Sequence, residues 1–194
     1  YEGLGSIYWH MVSKLLLSIQ ENIYATHGSN SDSGEIGRLI EHYYEVRAGI
    51  GINKTPELYG AFPTDAYSHT PKYAGARQPG MTGQVKEDII NRWAELGVIV
   101  YNGRLSFNPV LLRKSEFISE AGTLSCYNVD GVACKVNIPK NGLGYTFCQV
   151  PIIYTLGEAN SLKLIYDDGS DKTLKTLQLS PEDSKAVFKR TGRI

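Results

Sequence analysis

No run of apolar residues in this 194-residue sequence approaches the ~20 that a bilayer-crossing helix needs, and no basic-then-apolar segment of the secretory kind opens it. Excess charge of either sign is also missing, because lysine plus arginine equal aspartate plus glutamate at 20 each. Such a balance gives no broad positive field, so nucleic acid and anionic membranes are not expected partners. Cysteine is scarce. Cys126, Cys134 and Cys148 are an odd number without the spacing of a metal site, and each falls in a strand-like run. They read as reduced packing residues in a cytoplasmic protein, with pairing of two of them as the alternative. Internal repeats and low-complexity tracts are absent. What remains is a composition of 42% hydrophobic and 21% charged residues, that of a folded chain long enough to bury a core. The first residue is Tyr1 and not methionine, so a processed chain or a piece of a longer one is expected.

The first half has helical periodicity. From Ile7 to Tyr24 the residues Tyr8, Val12, Leu15, Leu16, Ile19 and Ile23 recur at three and four, which predicts one buried stripe. A polar connection over residues 27–34 ends that helix, and Glu35 to Ala48 starts a second with Ile36, Leu39, Ile40 and Tyr43 on one face. Residues 49–81 lose periodicity but keep Tyr59, Phe62, Tyr67 and Tyr73 among prolines and glycines, and long loops of this kind are often functional. A third helix, with Val85, Ile89, Trp93 and Leu96 as its stripe, stops at Gly97.

Thereafter the pattern becomes β-rich. Strands are expected at Val98–Tyr101, Arg104–Phe107, Leu124–Tyr127, Val132–Ile138, Tyr145–Val150, Ile152–Thr155 and Leu162–Tyr166. Turn pairs at Asn102-Gly103, Asp130-Gly131, Asn141-Gly142 and Asp168-Gly169 separate some of them. The expected class is α+β: residues 1–97 helical, residues 98–194 a small antiparallel sandwich-like unit closed by a short helix from Ser180 to Phe188 with proline in its first turn. Three helices with long apolar stripes need further neighbours, expected upstream of Tyr1 or on another chain.

The third helix is introduced by Gly75-Ala-Arg-Gln-Pro-Gly-Met-Thr-Gly-Gln84. One reading is a turn at Pro79-Gly80 and a cap at Thr82. The other is an anion site, since the start of a helix offers unpaired N–H groups and a positive dipole end, with Arg77 nearby and glycines that let the backbone approach.

Three blocks of the chain, in order, resemble the C-terminal part of the inverting cellobiose, cellodextrin and chitobiose phosphorylases. Ser6-Ile-Tyr-Trp-His10 before a helix is similar to that family's Gly-Ile-Phe-Cys-His block. Ala76-Arg-Gln-Pro-Gly-Met-Thr-Gly83 resembles its Ala-Arg-Asn-Pro-Trp-Leu-Thr-Gly block, and Gly103-Arg-Leu-Ser-Phe-Asn-Pro109 its Gly-Leu-Arg-Ile-Asp-Pro block. The resemblance spans roughly Gly5 to Pro109 and implies helices completing an (α/α)₆ toroid followed by a β-rich cap. It implies phosphate binding by His10, Thr82 and Gly83, with Arg77 in the same loop, and substrate contact from Asp65, Tyr67 and His69 in the segment 59–71. The chemistry implied is phosphorolysis of β-linked gluco- or N-acetylgluco-oligosaccharides. One carboxylic acid protonates the leaving oxygen, and phosphate replaces the water and base of an inverting hydrolase. Inorganic phosphate is then a co-substrate, and no other cofactor or metal is implied. The family's general acid lies upstream of the histidine block and has no counterpart here, so the chain alone is expected to be inactive. Gly80, where the family has a bulky residue, and Gln84-Val-Lys-Glu-Asp88 depart from the pattern and point to a distant branch.

Plainer readings stand beside these. His10 shares a helix side with Lys14 and Glu21, as on a solvated face. Asp65 and His69 fit as loop residues that hold local turns. Glu2, near the chain end, could touch sugar or be disordered. Glu87 and Asp88 read as favourable charges in the first turns of a helix, and Asp167-Asp168 as part of a hairpin turn and not a metal site. Two alternatives of function stay open, a hydrolase on the same barrel and a non-catalytic carbohydrate-binding or interaction module. The partners expected are an oligosaccharide, phosphate, and the upstream barrel segment or a second chain, with a homodimer compatible.

Overall fold

A computed structural model of the chain describes residues 9–29, 33–50, 55 and 82–194, with only the backbone described at 9, 10 and 82–85. It is a mixed α+β structure with two compact units, Tyr1–Ala94 and Glu95–Ile194.

In the first unit α1 spans Trp9–His27, α2 spans Ser33–Gly49, and α3 begins at Thr82 and ends at Glu95. The α1 and α2 helices pack together. Tyr43 and Tyr44 of α2 are buried with their rings edge-on, centroids 5.2 Å apart. Tyr24 of α1 donates its hydroxyl to the Ala94 carbonyl at 2.7 Å, satisfying one of the carbonyls that a helix C-terminus leaves open. The described helices do not close a ring.

Two buried stripes differ from those the periodicity predicts. On α1 the buried row is Ser13, Leu16, Gln20 and Ile23, while Leu15 is more than half exposed. On α3 Ile89 and Ile90 face outward, 52% and 48% exposed, and the buried residues are Glu87, Asn91, Ala94 and Glu95. The apolar spacing of α3 is therefore real, but part of its apolar face is turned to the outside.

The second unit contains four antiparallel pairs: β1 (Val98–Tyr101) with β2 (Arg104–Phe107), β3 (Gly122–Tyr127) with β4 (Ala133–Ile138), β5 (Gly142–Phe147) with β6 (Val150–Thr155), and β7 (Leu162–Ile165) with β8 (Asp171–Leu174). They remain separate two-stranded pairs and do not form the continuous layers of a sandwich. The outer edge of β2 is taken up by residues 177–179, where Phe107 N–H donates to the Leu177 carbonyl and Leu179 N–H to the Leu105 carbonyl. Leu105, Phe107, Leu164, Leu179 and Val187 form the core of this unit. The last helix, α4 (Pro181–Phe188), starts as its sequence predicts: Ser180 caps it by accepting from Asp183 N–H at 3.0 Å, with Pro181 next.

Two turns explain most of the register differences. The run Tyr145–Val150 is not one strand, because Cys148 and Gln149 adopt φ of 50° and 66° and form the two-residue turn between β5 and β6. That is the geometry usually given to Asn-Gly, as at Asn102-Gly103 in this chain, and Cys-Gln carries no such signal. At Asn141-Gly142 the turn residue is Asn141, with φ 57°, and Gly142 already belongs to β5. Gly142 and Gly144 leave room for Ile138 of β4: a Cβ at Gly144 would lie 2.7 Å from the Ile138 Cδ1 atom. The predicted strand Leu162–Tyr166 finds its partner in β8, whose sequence Asp-Lys-Thr-Leu has no apolar alternation.

Candidate functional site

The phosphate candidates within the described residues all sit at helix starts. His10 is the second residue of α1, and Thr82 and Gly83 are the first two of α3. The first four N–H groups of a helix have no partner inside it, and they carry the positive end of its dipole. Thr82 thus stands inside the helix, in its first turn, and not at an outer capping position. Arg77, Asp65, Tyr67, His69 and Glu2 lie outside the described residues.

A second feature of α3 was not legible as a site. Glu87 is 8% exposed and Asn91, one turn further on, is 3% exposed. Among the described residues the Glu87 Oε2 atom and both polar atoms of the Asn91 amide are buried without a hydrogen-bond partner. The same holds on α1 for the Ser13 Oγ and the Gln20 Oε1. Buried polar groups are normally paired, and each orphan costs about 1–3 kcal/mol, so four such side chains in one small helical unit call for partners. Glu87 is buried and lies beyond the first turn of α3, so it is not simply a favourable charge at the helix start. The only hint in the sequence is the spacing by four of Glu87, Asn91 and Glu95, a polar row on a helix that already has an apolar one.

Chemically the row combines complementary groups. A carboxylate accepts only, whereas a carboxamide both donates and accepts. Together they suit a ligand whose neighbouring groups alternate as donors and acceptors, such as the hydroxyls of a sugar ring. Gly83 stands four residues before Glu87, so the first turn of α3 and this polar row belong to the same side of the helix. Among the described residues no group of three or more His, Cys, Asp or Glu is placed to hold a metal ion. No helix there is long and apolar enough to cross a membrane.

In the second unit the block Gly103–Pro109 is accounted for by folding. Gly103 completes a turn with φ 71°, Leu105 and Phe107 enter the core, and Asn108 N–H donates to the Gly97 carbonyl at 2.7 Å. The three cysteines are free and half-buried. Cys126 and Cys134 are strand residues, but Cys148 lies in a turn. No protein-family model matches the chain, and no curated protein matches it.

Proposed function

We propose that this chain is the C-terminal part of an inverting glycoside phosphorylase acting on β-linked gluco- or N-acetylgluco-oligosaccharides. The observation that carries the proposal is the makeup of α3. Its first turn joins Thr82 and Gly83, and its buried row holds the unpartnered polar atoms of Glu87 and Asn91. In this reading the N–H groups of that turn, the Thr82 hydroxyl and the His10 imidazole orient phosphate, with Arg77 adding charge. Glu87 and Asn91 take sugar hydroxyls, and Asp65, Tyr67 and His69 line the rest of the sugar site. The general acid comes from an upstream segment, whose helices complete an (α/α)₆ toroid. The outward Ile89 and Ile90, and Met11 and Leu15 of α1, are apolar surface that such neighbours would cover. The β-rich unit follows the toroid along the chain, and the protein works in the cytoplasm.

Phosphate affinity of the native gene product tests the proposal. Thr82→Val and His10→Ala each weaken phosphate binding if the reading holds, and unchanged affinity in both variants rules it out.

A second reading rests on Tyr101 and Tyr127, which are 71% and 65% exposed on β1 and β3. Exposed aromatic rings suit stacking on sugar, so a glycan-binding module without catalysis is the alternative. It requires binding of sugar by the chain without phosphate, lost in Tyr101→Ala or Tyr127→Ala.

A further inference from the structure

The β3–β4 hairpin carries two thiols whose placement goes beyond packing. Cys126 and Cys134 are direct partners in the antiparallel register, with Leu124 opposite Val136 beside them. Residues so opposed have Cα atoms ~4.5–5.5 Å apart, within the range a disulfide spans. Both side chains lie on the half-buried face of the hairpin, where the strands alternate with the exposed Ser125, Tyr127, Ala133 and Lys135. Their Sγ atoms are 3.0 Å apart, closer than the ~3.5–4.0 Å at which even the smaller carbon atoms make favourable contact.

The turn that joins the strands keeps this alignment. The Asn128 Oδ1 accepts from Asp130 N–H at 3.0 Å and Val132 N–H at 2.9 Å, and Asn128 N–H donates to the Val132 carbonyl at 3.0 Å. The hairpin is a two-stranded pair, a structure of marginal stability in isolation, so a covalent link across it would matter. The third cysteine has another place: Cys148 sits in the β5–β6 turn and packs against the core around Leu105 and Phe107.

We infer that Cys126 and Cys134 form a thiol–disulfide exchange site that reacts with low-molecular-weight disulfides and closes into a reversible cross-strand bond. The thiolate of one cysteine attacks a sulfur of the small disulfide, giving a mixed disulfide and releasing one small thiolate. The thiolate of the other then attacks the protein sulfur of the mixed disulfide, forming the Cys126–Cys134 bond and expelling the second small thiolate. The two cysteines lose two protons and two electrons, and the small disulfide is reduced to two thiols. The hydrogen bond with Cys134, and then burial, raise the Cys126 thiol above its usual range, so at neutral pH this thiol attacks less readily. The inference is independent of the phosphorylase reading.

The test uses the full chain and its Cys148→Ser, Cys126→Ser and Cys134→Ser variants. Each is equilibrated in buffers from reduced to oxidised glutathione, then alkylated and measured as intact protein and as peptides. Native protein and Cys148→Ser lose two hydrogens, keep no glutathionyl group, and yield a peptide joining Cys126 to Cys134. Cys126→Ser and Cys134→Ser each retain one glutathionyl group on the remaining hairpin cysteine, because the resolving thiol is gone. Persistent glutathionyl groups on both hairpin cysteines of native protein would overturn the inference. So would a bond to Cys148, or thiols that stay unreacted in the folded chain but react in denaturant.

Discussion

The backbone N–H of Leu105 donates to the Oγ of Ser184 at 3.0 Å, and Ser184 is fully buried. A residue of α4 thereby completes the hydrogen bonding of β2 on the side away from β1. The Leu105 carbonyl on that side accepts from Leu179 N–H, so both backbone groups of a buried core residue are satisfied by the C-terminal segment.

Removal of the Ser184 hydroxyl leaves a buried N–H without a partner. Ser184→Ala is expected to destabilise the chain by about 1–3 kcal/mol, the cost of an orphaned buried donor. Urea unfolding measures it. A loss of a few tenths of a kcal/mol would mean that α4 is not docked on β2 as described.

Gly97 tests the exit from α3. Its φ is 72°, and a Cβ there would lie 2.3 Å from the Asn108 carbonyl carbon and from the Pro109 nitrogen, both backbone atoms that cannot swing aside. Gly97→Ala therefore combines a left-handed conformation with a steric clash and is expected to cost at least about 2 kcal/mol. Thermal unfolding of the variant is the check, and an unchanged midpoint would contradict the geometry.

Tyr154 predicts the alkaline limit of stability. Its hydroxyl donates to the Leu96 carbonyl at 2.6 Å and accepts from the Tyr145 hydroxyl at 3.0 Å. Burial pushes its pKa up to about 12 from the ordinary 10.0, outweighing the hydrogen bond from Tyr145, which acts in the other direction. Below the ordinary value both folded and unfolded chains keep the proton. Between about 10 and about 12 the unfolded chain has lost it and the folded chain has not, so this contribution to stability falls across that window and levels off above it. Tyr154→Phe removes the group, and the difference between the stability–pH curves of the two proteins should have its slope in that interval. A parallel pair of curves would contradict the assignment.

These features show where the sequence is informative. The capped start of α4 is read from Ser180-Pro181 because capping is local chemistry, and the β1–β2 hairpin from Asn102-Gly103 because positive φ favours those residues. The turn at Cys148-Gln149 is unreadable for the converse reason: tertiary packing imposes positive φ on residues that do not prefer it. On α3 the spacing of Val85, Ile89 and Trp93 reveals a helix with an apolar row, but which row faces inward depends on its neighbours. That is why the burial of Glu87 and Asn91, the most informative part of the candidate site, was invisible beforehand, whereas Thr82-Gly83 at a helix start was not.

The same pair separates stability from function. Asn91→Leu removes two unpartnered buried atoms and puts an apolar side chain of similar size in their place. Such an exchange is neutral or stabilising, by up to about 3 kcal/mol, when the polar group serves no structural role. The expected outcome is a chain at least as stable as the native one with weaker oligosaccharide binding in the native gene product. A marked loss of stability would show that Asn91 is a structural residue and not a ligand contact.

The central claim, that the start of α3 holds the phosphate of a phosphorolytic reaction, is met most directly by an activity measurement. The native gene product is incubated with cello- and chito-oligosaccharides, with and without inorganic phosphate, and the products are followed by anion chromatography and proton magnetic resonance. The account predicts phosphate-dependent release of the α-anomer of a sugar 1-phosphate, the inverted product of a β-linkage, and its loss in Thr82→Val. Cleavage that proceeds equally without phosphate, or no cleavage by a folded native product, would contradict it.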